Sequence, residues 1–380
     1  MAPVAGGQPS DRGRGVAGVL EERDREVPDH GPDAGEADQR DGGASVAGGT
    51  GEPMAGDVTP VVGASASAVT PLLMGPVLAG TVLGAFSRAV IVGLRTESGP
   101  RVVSLLARGA AAVPNGVRLS GAETHLHRVQ VGAPVLVGAG WVRAGSFEVR
   151  VVRSWNSRVP VIDPEMGGLA ALVGASGAAE RGVPQQAINR LEGALEPSVG
   201  ADRHDLEGAV QGLVGLGRGL TPGGDDVLAG VLTGLHAVGR ADAAATIGGL
   251  ILSRITERTT LLSADLLRLA AAGHACLEAL ALLRAMHRPG SAHAAMVSGG
   301  ARPPVMGPGG AGPLVTRPGD AGPATGPGGA GPPVTAAIDR LLSIGHTSGA
   351  DLATGLAIGL TLGLGSDRGS AVATAGQGVR

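Results

Sequence analysis

Gly215-Leu-Gly-Arg-Gly-Leu-Thr-Pro-Gly-Gly-Asp-Asp226 runs directly into the apolar stretch Val227-Leu-Ala-Gly-Val-Leu-Thr-Gly-Leu235. Further on, Ile344-Gly-His-Thr-Ser-Gly-Ala-Asp351 runs in the same way into Leu352-Ala-Thr-Gly-Leu-Ala-Ile-Gly-Leu360. Both approaches read Gly-x-Thr-x-Gly-x-Asp. Gly219, Thr221, Gly223 and Asp225 map onto Gly345, Thr347, Gly349 and Asp351 at an offset of 126, and Gly230 and Gly234 map onto Gly355 and Gly359 at an offset of 125. The stretches after the loops are apolar nearly all round, which predicts two central, buried helices. Glycines four apart on each let a neighbouring backbone come close.

Working outward, Gly168–Gly174, Pro184–Leu195, Asp205–Leu216, Asp242–Glu257, Ala264–Arg284 and Val334–Leu342 also read as helices. Upstream, short Val- and Leu-rich runs at Ala89–Leu94, Arg101–Ala107, Pro134–Gly138 and Phe147–Val152 read as strands punctuated by Gly, Pro, Asn and Ser. Leu78–Phe86 fits a strand or the first turn of a helix. The expected fold is therefore α+β. A small, mostly antiparallel β-domain over 67–160 precedes a larger all-α domain with buried glycine-rich helices, over 161–287 plus 335–380. Residues 1–66 have few large apolar side chains and are expected to form a disordered tail. Residues 288–334, where Gly-Pro-Gly-Gly-Ala-Gly-Pro occurs twice, are expected to be a disordered Pro/Gly-rich insert.

Composition narrows the function. The net charge of −3 and an aromatic content of 1% argue against a nucleic-acid surface. There is no lysine, which excludes a Walker-type phosphate lysine and a pyridoxal phosphate Schiff base. Cys276 is alone, so no disulfide framework is expected. The longest apolar run, Leu352 to Gly365, is too short to span a bilayer. With no signal-peptide pattern, the expected location is the cytoplasm.

A helix start presents unpaired N–H groups and a positive dipole end, so each glycine loop is a candidate anion cradle. In the first, Gly217, Arg218, Gly219, Thr221, Gly223 and Gly224 are candidate ligand contacts, and Asp225 and Asp226 candidate catalytic groups. In the second, Gly345, Thr347, Ser348 and Gly349 are candidate contacts, with His346 and Asp351 catalytic. His346 suits proton transfer near neutral pH. Capping alone would account for one polar residue at each start, not for the whole string. Carboxylates beside an anion make sense if they accept N–H bonds from an amide or ureido group, or if they hold a divalent cation such as Mg2+. Thr259, Thr260 and Ser263 form a hydroxyl cluster that suits either the ligand or the cap of the following helix, with Ser263 the evident N-cap. Cys276 reads as a small core residue. His125 and His127 have metal-like spacing but no third ligand, so no metal site is assigned, and Mg2+ at the aspartates is the one cofactor left open.

Three strings carry a resemblance: GLGRGLTPGGDDVLAG at 215–230, TERTTLLSADLLRLAAAG at 256–273 and LLSIGHTSGADLATGL at 341–356. They resemble blocks of the AllH-type subunit of oxamate carbamoyltransferase, a bacterial family; the stretch from Leu78 to Trp155 is similar more weakly. The resemblance implies ureide catabolism, with a carbamoyl group passing between oxalurate and phosphate. It implies a small anionic substrate (carbamoyl phosphate, oxalurate or a related ureide) and partner subunits of the FdrA and AllG types, with no nucleic-acid or membrane partner. Two alternatives stay open: a non-catalytic ligand-binding or scaffold subunit of an FdrA-associated complex, and a metal-dependent hydrolase built on the aspartates.

Overall fold

The computed structural model describes residues 61–120, 126, 129–145, 147–195, 203–288 and 333–375. Residues 1–60 of the expected tail, residues 289–332 of the expected Pro/Gly insert, and His125 and His127 lie outside the described residues. All described residues belong to one compact unit, Ala55–Arg380.

Eight strands come first: β1 (Val61–Ala66), β2 (Leu78–Ala85), β3 (Ala89–Thr96), β4 (Gly99–Leu106), β5 (Gly116–Leu119), β6 (Pro134–Gly138), β7 (Trp141–Ala144) and β8 (Phe147–Trp155). They close into a barrel in the order β1-β5-β4-β3-β2-β6-β7-β8. This overturns the expectation of a small, mostly antiparallel β-domain: the sheet is mixed and closed, with β1–β8 and β4–β5 parallel. The closing strand β1 lies within the stretch assigned to the tail. Strand patterns register which face is buried, but a parallel seam between the first and last strands leaves no local mark in the sequence. The interior is filled by side chains such as Val90, Val92, Val103, Leu105, Val117, Val137 and Val149, all with no accessible surface, as a small barrel requires. Leu73 of the short helix α1 (Thr70–Met74) joins this core.

The rest is helical: α2 (Met166–Ala178), α3 (Gln185–Leu195), α4 (Arg203–Leu213), α5 (Gly223–Ala237), α6 (Ala241–Leu252), α7 (Ile255–Arg258), α8 (Leu261–Ala271), α9 (Leu277–Met286), α10 (Val334–Leu342) and α11 (Ser348–Ala375). The helix expected over Ala264–Arg284 is two. Gly273 adopts φ +79, and the backbone bonds Gly273 N–H to Ala270 C=O (2.9 Å) and His274 N–H to Leu269 C=O (2.9 Å) terminate α8. A left-handed glycine closing a helix in this way is a familiar stop.

Helices α5 and α11 pack in parallel through their glycines. A Cβ on Gly230 would collide with the Leu352 carbonyl, and one on Gly355 with the Val227 carbonyl. Further along, Gly234 faces the Leu360 amide (2.7 Å from a Cβ) and Gly359 the Leu235 amide (3.1 Å). Shifted by 125 residues, each contact becomes its partner. The two helices are thus related by a local two-fold axis, with their N-termini side by side. Both begin at corresponding residues, Gly223 and Ser348, so Asp226 is the counterpart of Asp351; the offset of 126 seen in the loops does not extend into the helices.

Helices α8 and α9 dock on the barrel. Asp265, without accessible surface, accepts from Arg101 Nε of β4 (2.7 Å) and from Asn115 Nδ2 (3.3 Å). The Leu277 amide donates to the Ala112 carbonyl (3.0 Å), and Glu278 accepts from the Ala112 amide (3.2 Å). Ile91 and Val102 pack on Leu262 beside these bonds.

Candidate functional site

Because the helices are parallel, their two glycine loops meet. The Thr221 and Ser348 hydroxyls lie 3.2 Å apart. Beneath them opens a cavity of about 390 Å3. The helix starts supply Thr221, Asp226, Gly345 and Ser348. The barrel side supplies residues such as Ile91 and Ser104, and α8, α9 and the turn between them supply Leu262, Leu266, His274 and Cys276. The walls are largely apolar, and among the described residues no arginine lines them.

The three aspartates have different fates. Asp225 is buried and fully engaged: Oδ1 accepts from the Gly215 amide (2.8 Å), and Oδ2 accepts from the Ser263 hydroxyl (2.6 Å) and from Thr259. It ties the first loop to the start of α8. Asp351, with no accessible surface, receives the Gly182 amide on both oxygens, at 3.1 and 3.0 Å. Burial raises its pKa, opposed by the Gly182 amide, the Thr347 hydroxyl, the Val183 amide and the Arg181 charge. Asp226 is different. Its Oδ2 is enclosed and, among the described residues, has no hydrogen-bond partner. Burial pushes its carboxyl well above the usual range, and the charges of Asp351 and Asp225 push the same way; the Ser348 and Thr221 hydroxyls oppose the rise only in part. An enclosed polar atom without a partner marks a candidate binding position.

The remaining expected contacts sort by position. Of the candidates, Thr221, Asp226, Gly345 and Ser348 line the cavity. Thr259 and Ser263 serve Asp225. Thr260, and not Ser263, caps α8: its oxygen accepts from the Ser263 amide (3.1 Å) while its hydroxyl donates to the Leu220 carbonyl (2.6 Å). Gly217, Arg218, Gly219 and His346 are exposed, outside the cavity lining. Gly223, Gly224, Thr347 and Gly349 shape the helix starts. The N–H groups of Gly224, Asp225 and Asp226 bond to Leu216 and Pro222 carbonyls (2.8–3.2 Å), and those of Gly349 and Asp351 to Ile344 and Thr347 (2.9 and 3.0 Å). These amides are committed to their own loops and are not available as an anion cradle.

Sequence reasoning missed His274. Its Nδ1 is 2.9 Å from the Ser157 hydroxyl, and burial lowers its pKa, helped by the charges of Arg158 and His236, which favours the neutral ring. The stop at Gly273 was the signal that could have placed it on a turn. Cys276, the residue before α9, is also a wall residue; burial pushes its thiol up to about 12, so it is not a thiolate nucleophile. Among the described residues, no group of three His, Cys, Asp or Glu side chains is arranged to hold a metal ion, and no helix is long and apolar enough to cross a membrane.

Residues 213–298 match the family model described as oxamate carbamoyltransferase subunit AllH. The match spans the first glycine loop, α5 and the Thr259–Thr260 block; the second loop and α11 lie outside it. No curated protein and no solved structure matches the chain.

Proposed function

We propose that this chain is an AllH-like subunit of a carbamoyltransferase of the oxalurate/oxamate type, and that the cavity beneath the paired helix starts receives a small carbamoyl or ureido ligand. The observation that carries this is Asp226: an enclosed carboxylate oxygen without a partner, facing an apolar cavity beside two hydroxyls, within the segment that matches the AllH family. A carbamoyl group offers N–H donors to a carboxylate and a carbonyl to the Thr221 and Ser348 hydroxyls. Phosphorolysis of oxalurate joins a phosphate oxygen to the carbamoyl carbon and breaks its bond to the oxamate nitrogen, which takes a proton. Such a reaction needs positioning and charge stabilisation more than a covalent nucleophile.

The lining of the cavity supports a dependence on partner subunits. Among the described residues no arginine lines it, and FdrA-like and AllG-like chains are the proposed source of countercharge for phosphate. The site is a partial one, working in the cytoplasm. The test is purified protein with oxalurate and phosphate, following carbamoyl phosphate, with and without those chains from the same genome. Turnover is expected in the mixture alone. Robust turnover by the isolated chain refutes the partial site. No turnover in the full mixture favours a second reading, a non-catalytic ligand-binding or scaffold subunit, which the mainly apolar walls also support.

A further inference from the structure

The local two-fold axis makes one half of the α5–α11 pair a template for the other. Gly223 and Ser348 are counterparts, as are Asp226 and Asp351. The contacts obey that relation: the Asp226 carboxyl feels the Ser348 hydroxyl, and Asp351 Oδ2 sits 2.6 Å from where a Cβ on Gly223 would stand. Around Asp351 the arrangement is complete, because the Gly182 amide lies across both carboxylate oxygens. Around Asp226 no backbone amide of the described residues bonds to Oδ2. Its Oδ2 is enclosed and unpaired, and the carboxyl borders the cavity.

We propose that Asp226 receives the N–H end of the ligand, a primary amide or ureido nitrogen, in the place that the Gly182 amide fills at Asp351, and that the cavity selects its ligand by that N–H. This deepens the carbamoyl reading above and rests on it for the ligand class. The selection follows from the surroundings. In an apolar enclosure an acceptor that finds no donor loses far more than it would in water. A ligand of the same shape without an N–H gives Oδ2 no donor. The carbonyl end of the ligand then falls to the Thr221 and Ser348 hydroxyls, and its body to Ile91, Leu262 and Leu266.

The experiment is isothermal titration of the full chain with oxamate and with N,N-dimethyloxamate, which keeps the charge and removes the N–H donors. Oxamate is expected to bind about tenfold tighter or better, and Asp226→Ala and Asp226→Leu, which remove the acceptor and are checked by thermal melting, should abolish that preference. Equal binding of the two compounds, binding of neither, or a preference that survives in a folded Asp226 variant overturns the proposal. Its failure is separable from that of the transferase reading. An Asp226-dependent preference without turnover in the reconstituted mixture leaves the proposal standing and removes the transferase. Turnover whose KM for oxalurate is unchanged in a folded Asp226→Ala does the reverse.

Discussion

Gly230 and Gly355 each press against the other's helix at corresponding carbonyls, those of Leu352 and Val227. This reciprocal contact draws α5 and α11 together and brings Thr221 to Ser348. Gly355→Ala should force the backbones apart and cost about 3 kcal/mol or more, as overpacking against unyielding main chain does. Gly249→Ala is the contrast: it lies on an exposed helical position of α6 with open space around its Cβ. There the change should stabilise by about 0.5–1 kcal/mol. Urea melts of the two variants decide the matter. A tolerated Gly355→Ala would mean that the helices are not in close contact.

Asp225 anchors three donors, and its role is structural. Asp225→Ala strands the Gly215 amide and the Thr259 and Ser263 hydroxyls. The expected cost is on the order of 3 kcal/mol, or a fall in Tm of about 5–10 °C. Differential scanning calorimetry measures it. A variant that melts normally yet loses oxamate binding would return Asp225 to the candidate catalytic groups.

Asp226 should behave in the opposite sense. Its pKa is raised in the folded protein, above the 3.8 of a free aspartate. Below that value both states are protonated and the group is neutral in its effect. As pH rises towards the folded pKa, the unfolded chain ionises first and the fold loses stability. Asp226→Asn should therefore raise Tm by a few degrees at pH 7–8, with the gain fading to nothing near pH 4, a range of about 1–3 kcal/mol for an unpaired buried polar group. Melts of both proteins from pH 4 to 8 give the answer. A gain that is flat across this range would exclude ionisation of Asp226 as its cause.

Arg101 is partly exposed, whereas Asp265 has no accessible side chain. Arg101→Ala leaves a buried carboxylate with Asn115 alone, at an expected cost of about 3 kcal/mol. Because this pair joins the barrel to α8, loss of the barrel signal and loss of helical circular dichroism should also separate on heating. Coincident transitions would show that the remaining contacts suffice to couple them.

The helices around the site were legible because glycine, threonine and aspartate at a helix start, followed by an apolar run, leave few alternatives. Which carboxylate faces the cavity was not. Asp225 and Asp226 are adjacent, and successive helical positions point about 100° apart, so rotation about the α5 axis decides between them. That rotation is set by the Gly230 contact with a helix 125 residues away. The barrel was legible strand by strand but not as a barrel. Val61–Ala66 is six residues of small side chains at the edge of a polar tract, and β5 is four residues. Their partners are fixed by closure of the sheet, which no local pattern encodes. His274 was hidden by the same apolar periodicity that made α8 and α9 look continuous.

The pairing of α5 with α11 also sets a timetable. Ser348 leaves the ribosome 122 residues after Asp226. At about 5–20 residues per second, α5 waits on the order of ten seconds for its mate. During that interval the backbone seam at Gly230 and Gly234 faces no partner, and Asp226 has no Ser348 beside it. The nascent chain therefore carries an uncovered glycine seam on a helix that is apolar nearly all round, and the pocket comes into being only with the last helix of the described fold.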